Sequence, residues 1–279
     1  MDEEVLDWID TDRYPINDPD SGALASVITA ARTQIAEMGA AELPGFIRQD
    51  ALAAFVADAE VLSGRAHPSG GLGTAYLELP DEERFSEDHP RRTWMPYAVR
   101  AVAYDLIPTT SPLRKIYESE PVRTFLESVL NRGTLHRYAD PFGALNLAVM
   151  GEGDALQWHF DQTDFVVSLA IQTAESGGDF EVVPKIRTTE DERYDDVASV
   201  LAGNSSRVLT LAMTPGTLLV FEGRHSIHRV TPIVGDRLRH VGLLGYDTKE
   251  DVMSSELLRL IRYGRSEPFE EPPMHWEAS

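Results

Sequence analysis

The chain contains no cysteine. Disulfides, thiolate zinc sites, iron–sulfur clusters and a cysteine nucleophile are thereby excluded, and any metal must be held by nitrogen and oxygen. It also lacks any apolar run of roughly 18 residues or more, the length a membrane helix needs. The opening residues, Met1-Asp-Glu-Glu-Val-Leu-Asp-Trp8, are acidic where a secretory leader would be basic and then apolar. A cytoplasmic protein is the expectation. Positive charge is scarce: 25 basic residues stand against 46 acidic ones, a formal charge of -21. Such a field repels nucleic-acid phosphates and anionic membrane surfaces, so neither is expected as a partner, and it mildly favours a cationic small molecule. No internal repeat, low-complexity segment or obvious linker is present, and one domain over residues 1–279 is the economical reading.

What is there divides into two textures. In the first part, Leu24, Val27, Ile28, Ala31, Ile35 and Met38 recur at helical spacing and predict a helix over Ser21–Met38, with a second over Asp50–Leu62. Between about Gly64 and Pro96 the composition turns to Gly, Pro, charge and scattered aromatics, which predicts a long structured loop. Ser111 followed by Pro112 marks a helix start, and apolar residues continue through Ile116, Phe125, Leu126 and Leu130 to a stop at Gly133. From about Thr134 the pattern becomes short strands: 144–150, 165–172, 180–183, 208–213, 217–221 and 240–246, punctuated by turn residues. In the second of these, Phe165, Val167, Leu169 and Ile171 share one face and Ser168 and Gln172 the other, which predicts one face in a core. A closing helix is expected over 254–263. Many short strands without alternating helices predict a mainly β fold with flanking helices, a sandwich or barrel rather than a doubly wound sheet.

The strongest chemical signal is Gln157-Trp-His-Phe-Asp-Gln-Thr-Asp164. On extended backbone, positions i and i+2 point to the same side, so the His159 imidazole and the Asp161 carboxylate can converge on one ion. A third ligand is offered by Phe221-Glu-Gly-Arg-His-Ser-Ile-His-Arg-Val-Thr-Pro232, where either His225 or His228 could serve. Two histidines and one carboxylate on one octahedral face leave three open positions, the arrangement of non-haem iron(II) oxygenases. A cosubstrate dicarboxylate buried in a barrel would then call for a fixed guanidinium, and Arg237 and Arg239 both stand near the start of the following strand.

These segments also resemble a known family. His159-Phe-Asp161, Gly177-Gly-Asp-Phe-Glu181, Pro215-Gly-Thr-Leu-Leu-Val-Phe221 and His228-Arg-Val-Thr-Pro-Ile-Val-Gly-Asp-Arg-Leu-Arg239 look like the double-stranded β-helix (jelly-roll, cupin-like) core of the Fe(II)/2-oxoglutarate dioxygenases. The similarity is closest to the branch of free-amino-acid hydroxylases and lysine-type halogenases. It covers roughly residues 134–265, and His89-Pro-Arg-Arg92 with Tyr138-Ala-Asp-Pro141 extend it upstream more weakly. The resemblance implies a helical and loop part over 1–133, a β-helix core over 134–250 and a C-terminal helix and tail over 251–279. It implies Fe(II), 2-oxoglutarate and dioxygen as cofactors, and His159, Asp161 and His228 as metal ligands, the last because Arg-Val-Thr-Pro follows it. For the 2-oxoglutarate clamp, the pattern of prolyl hydroxylases selects Arg237, whereas the resembled branch selects Arg239.

In the family's halogenases the acidic position is glycine or alanine and chloride enters the vacated site. Here it is Asp161, which implies hydroxylation of an unactivated C–H bond in a small molecule, with a free or derivatised amino acid as the expected substrate. The alternatives are a halogenase or desaturase on the same scaffold, or a non-catalytic cupin-like metal-binding protein. Asn146, an inward-facing polar residue on the strand before His159, is a candidate cosubstrate contact. Candidate substrate residues are Arg92 and Trp94 in the long loop, Asp140 before Pro141, Trp158 and Gln162 beside the metal ligands, and His225 near the entrance. Each has an ordinary structural explanation as well: sheet packing, a surface cation, or a turn.

Overall fold

The computed structural model describes residues 2–269. In chain order its helices are α1 (Asp2–Trp8), α2 (Gly22–Met38), α3 (Gln49–Ser63), α4 (Pro112–Glu118), α5 (Glu120–Leu130), α6 (Tyr194–Leu201) and α7 (Glu256–Tyr263). Its strands are β1 (Ala40–Leu43), β2 (His67–Gly73), β3 (Met95–Val102), β4 (His136–Arg137), β5 (Leu145–Met150), β6 (Leu156–His159), β7 (Val166–Gln172), β8 (Ser176–Gly177), β9 (Phe180–Val183), β10 (Leu209–Leu211), β11 (Leu218–Phe221), β12 (Ile227–Val230), β13 (Ile233–Val234), β14 (Arg239–Leu244) and β15 (Tyr246–Asp247). A seven-stranded sheet runs β1-β11-β7-β14-β5-β3-β2 and a four-stranded sheet runs β10-β9-β12-β6, with all pairings antiparallel. The two sheets make a double-stranded β-helix. Among the described residues no helix is long and apolar enough to cross a membrane.

Alternation along the strands explains both cores. Phe165, Val167, Leu169 and Ile171 join Leu145, Leu147, Val149, Leu218 and Val220 in a cluster packed against the helices, including Phe55 of α3 and Ile116 of α4. The opposite face is buried as well, where one buried face was expected: Ala148, Met150, Ala170, Leu219 and Phe221 meet Phe180, Val182 and Val230 of the smaller sheet in the barrel interior. A strand buried on both faces loses the polar alternation that marks a solvated face, which is why only Ser168 and Gln172 hinted at it.

Several elements depart from the sequence expectation. The helix expected to run unbroken from Pro112 towards Gly133 divides at Ser119, which is extended at φ -69°, ψ 129°. Pro121 has no N–H to donate to the Tyr117 carbonyl four residues earlier. That carbonyl instead accepts from Arg137 Nε at 3.0 Å and the Tyr246 hydroxyl at 2.9 Å. The segment expected as a loop from Gly64 contains β2, which pairs with β3 from His67↔Ala101 to Gly73↔Met95. Pro68 and three glycines conceal it, and all are tolerated because β2 is an edge strand. The short helices α1 and α6 carried no periodic signal of useful length. α6 contributes Val197 and Val200 to a cluster with Tyr76, Trp158, Phe160, Val183 and Ile227 on the outer face of the smaller sheet. The strand expected over 240–246 starts one residue earlier, at Arg239, and is interrupted at Gly245.

Candidate active site

His159 ends β6 and His228 lies directly opposite on β12, with their ring centroids 4.3 Å apart. Asp161 follows two residues later, and its N–H donates to the Gly223 carbonyl at 3.1 Å. One ligand atom from each of His159, Asp161 and His228 lies within 4.8 Å of the others. His225 is not part of this group. The Nδ1 of His159 is 2.7 Å from the Gln157 carbonyl and that of His228 is 2.9 Å from the Ser226 carbonyl. A carbonyl only accepts, so each Nδ1 carries the proton and each Nε2 lone pair is left free for a metal. Burial, then the neighbouring His228, hold the His159 imidazolium down to about pKa 4, so the ring is neutral at neutral pH.

The carboxylate completes the set. Asp161 Oδ2 is 3.4 Å from His228 Nε2, buried, and without a hydrogen-bond partner. An orphaned buried carboxylate oxygen beside two free imidazole nitrogens fits a divalent cation, since otherwise its desolvation would stand uncompensated. Gly223 makes room for it: a Cβ there would lie 1.8 Å from Asp161 Oδ2. The donor set, two nitrogens and one oxygen, suits iron(II).

Deeper in the barrel, Arg239 opens β14 with its side chain inward, opposite Met150. It is only 6% exposed, and its one hydrogen-bond contact among the described residues is to Met150 Sδ at 3.9 Å. Burial pulls its pKa down from 12.5 to about 10, opposed by the field of Asp179. The arginine stem passes over Gly178, where a Cβ would come within 2.9 Å of Arg239 Cδ. A buried planar cation in the barrel interior, with no carboxylate partner among the described residues, fits a carboxylate of a small diacid. Arg237, by contrast, is spent on backbone, donating to the carbonyls of Thr173 at 2.8 Å and Ala174 at 2.7 Å. Asn146 is buried on the interior face with Ala148 and Met150, and its Oδ1 has no partner.

The remaining candidates are engaged elsewhere to differing degrees. Trp158 faces out of the barrel, in the cluster under α6, with the Arg229 guanidinium 4.7 Å above its ring. As a candidate substrate residue beside the metal ligands it is turned away from the cluster: its neighbour His159 takes the inward position. Asp140 is buried, accepting from Phe142 N at 2.9 Å and Ser254 N at 2.8 Å and facing Arg259 at 3.4 Å. It fastens the turn to the segment before α7. Arg92 donates to the Phe85 carbonyl at 3.1 Å and lies 3.8 Å from Glu82. Trp94 is 47% exposed, and Gln162 reaches only the Leu77 carbonyl at 3.5 Å. His225 has a buried, unpartnered Nε2 on the loop between β11 and β12.

Three residues escaped the sequence reading. Gly223 was hidden because a glycine's role is a space, visible only once Asp161 is placed. Tyr138 stands where Asp247, Asp161, Asp140 and Asp164 all act on its hydroxyl, and burial first, then these charges, raise it to about 12. Arg262, on α7, lies within electrostatic reach of His159.

Residues 81–258, more than half of the chain, match the model of the family described as Halogenase D. The chain belongs to the halogenase D family. No curated protein matches this family member. Among solved structures it is similar to AviO1 from Streptomyces viridochromogenes Tue57, with TM-score 0.54 and 18% identity over 80% of this chain and 95% of that one. The non-heme alpha ketoglutarate dependent epimerase SnoN from nogalamycin biosynthesis gives TM-score 0.54 and 11% identity over 80% and 83%. The carbocyclase SnoK, also described as non-heme alpha ketoglutarate dependent, gives 0.53 and 15% over 87% and 93%. At these identities the likeness establishes the halogenase D chain's fold, that of the Fe(II)/2-oxoglutarate oxygenases.

Proposed function

We propose that this chain is an Fe(II)- and 2-oxoglutarate-dependent oxygenase, acting as a single domain, that hydroxylates an unactivated C–H bond of a free or derivatised amino acid. The observation that carries the reading is Asp161. Its carboxylate occupies the third position of the His159/His228 cluster, where resemblance to halogenases would call for a residue without one. Iron(II) with 2-oxoglutarate and dioxygen supplies, when bound, the oxidant for C–H cleavage, with succinate and carbon dioxide as co-products. The protein's work is positional. His159 and His228 present Nε2, with the tautomer fixed by the Gln157 and Ser226 carbonyls. Asp161 adds the negative charge that excludes a halide from its position. Arg239 holds the distal carboxylate of 2-oxoglutarate, with the Asn146 amide on the same interior face. Ala148, Ala170, Phe180 and Phe221 line the surrounding interior and keep bulk water from the reaction.

The family's description favours one rival, halogenation. Succinate release across a panel of free amino acids in the presence of chloride, read by product mass, separates the two. A gain of one oxygen supports hydroxylation, and a chlorinated product overturns it. Turnover with other small molecules but no amino acid removes the substrate assignment alone.

A further inference from the structure

The Asp161 carboxylate is left to be placed by its backbone, since Oδ2 has no hydrogen-bond partner among the described residues. That backbone is held at two points: the Phe160 N–H donates to the Ala75 carbonyl at 2.7 Å, and the Asp161 N–H to the Gly223 carbonyl at 3.1 Å. Phe160 itself points away from the two ligands that flank it and is 1% exposed, in the cluster beneath α6.

One arginine joins these points. Arg187, in the connection from β9 to α6, lays its guanidinium 3.9 Å from the centroid of the Phe160 ring. Its Nε donates to the carbonyl of Arg224, one residue beyond Gly223, at 2.7 Å, and its backbone N–H donates to the His225 carbonyl at 3.4 Å. Arg187 therefore touches both the segment that carries Asp161 and the turn that accepts the Asp161 N–H. Arg224 closes the same seam from the other side, hydrogen-bonded to the Gln162 carbonyl and 2.6 Å from the Asp164 carboxylate.

Arg187 is held in turn. It donates to one oxygen of Glu192 at 2.8 Å, and the other oxygen accepts from Arg91 at 3.1 Å. Arg91 lies over the Tyr76 ring at 4.1 Å, and Tyr76, next to Ala75, meets Phe160 at 5.3 Å. Phe160, Arg187, Glu192, Arg91 and Tyr76 so form a closed circuit behind the Asp161 segment. The Arg187 side chain is only 12% exposed. Burying a guanidinium forfeits hydration, and an apolar side chain of the same volume often serves stability as well. No apolar side chain can press a flat face on an aromatic ring while its edge donates to a backbone carbonyl and a carboxylate. That combination fixes a distance rather than filling a space.

We propose that Arg187 is a positioning residue for Asp161: by clamping Phe160 to the turn at Gly223 and Arg224, it keeps the carboxylate within the narrow range of about 0.2 Å that a metal ligand tolerates. This rests on the iron and 2-oxoglutarate reading above.

The test is an anaerobic Fe(II) titration of the full-length protein, read by calorimetry and, with 2-oxoglutarate present, by the visible charge-transfer band, beside a thermal melt of the metal-free protein. Arg187→Gln should weaken Fe(II) about 10-fold or more, as loss of a group that orients a ligand does. Arg187→Lys, which keeps the charge beside Glu192 but not the flat face, should recover part of the loss. The effect should also depend on the carboxylate. In an Asp161→Gly protein supplied with chloride, adding Arg187→Gln should change Fe(II) affinity by less than about 2-fold, because two changes that act through one group do not add. Wild-type Fe(II) affinity in Arg187→Gln overturns the proposal, and so does an equal fold-loss with and without Asp161, which marks a general loosening. Should Arg187→Gln fail to fold, Glu192→Gln, which removes one anchor only, decides: weaker Fe(II) binding supports the proposal and unchanged binding overturns it. A wild type that binds Fe(II) but gives no band with 2-oxoglutarate overturns the cosubstrate reading instead, and the calorimetry still judges Arg187.

Discussion

Gly223 lies beneath the Asp161 carboxylate, and replacing it with alanine is a test of the metal site that leaves every ligand in place. Gly223 is not among the residues with positive φ, so alanine meets no backbone penalty there. The added Cβ would fall 1.8 Å from Asp161 Oδ2, 2.7 Å from its Cγ and 2.9 Å from its own Cβ. Since real contacts of this kind essentially never come under 3.0 Å, the carboxylate must retreat by at least 3.0 − 1.8 = 1.2 Å. Metal–ligand distances tolerate only about 0.2 Å. Asp161 would therefore leave the ligand set or drag the backbone hydrogen bond to Gly223 with it. Iron affinity should fall about 10- to 100-fold and turnover by about 100-fold or more. The assay is anaerobic Fe(II) titration in the presence of 2-oxoglutarate, beside a thermal melt. A Gly223→Ala protein that binds iron like the wild type would refute the placement of Asp161, and one that fails to fold would show that the glycine serves the fold instead.

Other outcomes follow from the same geometry. Arg239→Gln should weaken 2-oxoglutarate by about 2–5 kcal/mol, roughly 30-fold to several thousand-fold in Kd, whereas Arg237→Gln should leave it nearly unchanged because that guanidinium is spent on the Thr173 and Ala174 carbonyls. Equal effects in a direct binding titration would contradict the assignment. His240 is fully buried with Nε2 2.8 Å from the Ser63 hydroxyl, and burial first, then Arg100, lowers its pKa from 6.5 to about 4. A folded value below the unfolded one means stability that is fully present above pH 6.5 and lost as pH falls towards 4, on the order of 3 kcal/mol. Thermal melts across that window should therefore decline less steeply for His240→Gln than for the wild type. Asp140→Asn should lower the melting temperature through about 1–3 kcal/mol of lost bonding to Phe142, Ser254 and Arg259. A rise in substrate KM without any change in melting would instead give Asp140 a binding role.

How much of this was legible depended on whether a residue's role is local. The spacing of His159 and Asp161 is a property of one extended segment, so it could be read directly, and the strands over 180–183 and around 145–150 carried their own hydrophobic signatures. Which of Arg237 and Arg239 faces the barrel interior depended on where β14 begins, a question of register that is visible only in the pairing of Arg239 with Met150. Trp158 misled because adjacency in a strand means opposite faces, and the bulge between His228 and Val230 shifts the register opposite β6. β2 was illegible because its pairing comes from β3, not from its own Pro- and Gly-rich sequence.

The most direct test of the central claim is the visible spectrum of the protein under anaerobic conditions as Fe(II) and then 2-oxoglutarate are added. The account predicts a charge-transfer band that requires both additions, is lost in His159→Ala and His228→Ala, and survives His225→Ala. No band in the wild type, or a band that persists without His228 and disappears without His225, would contradict it.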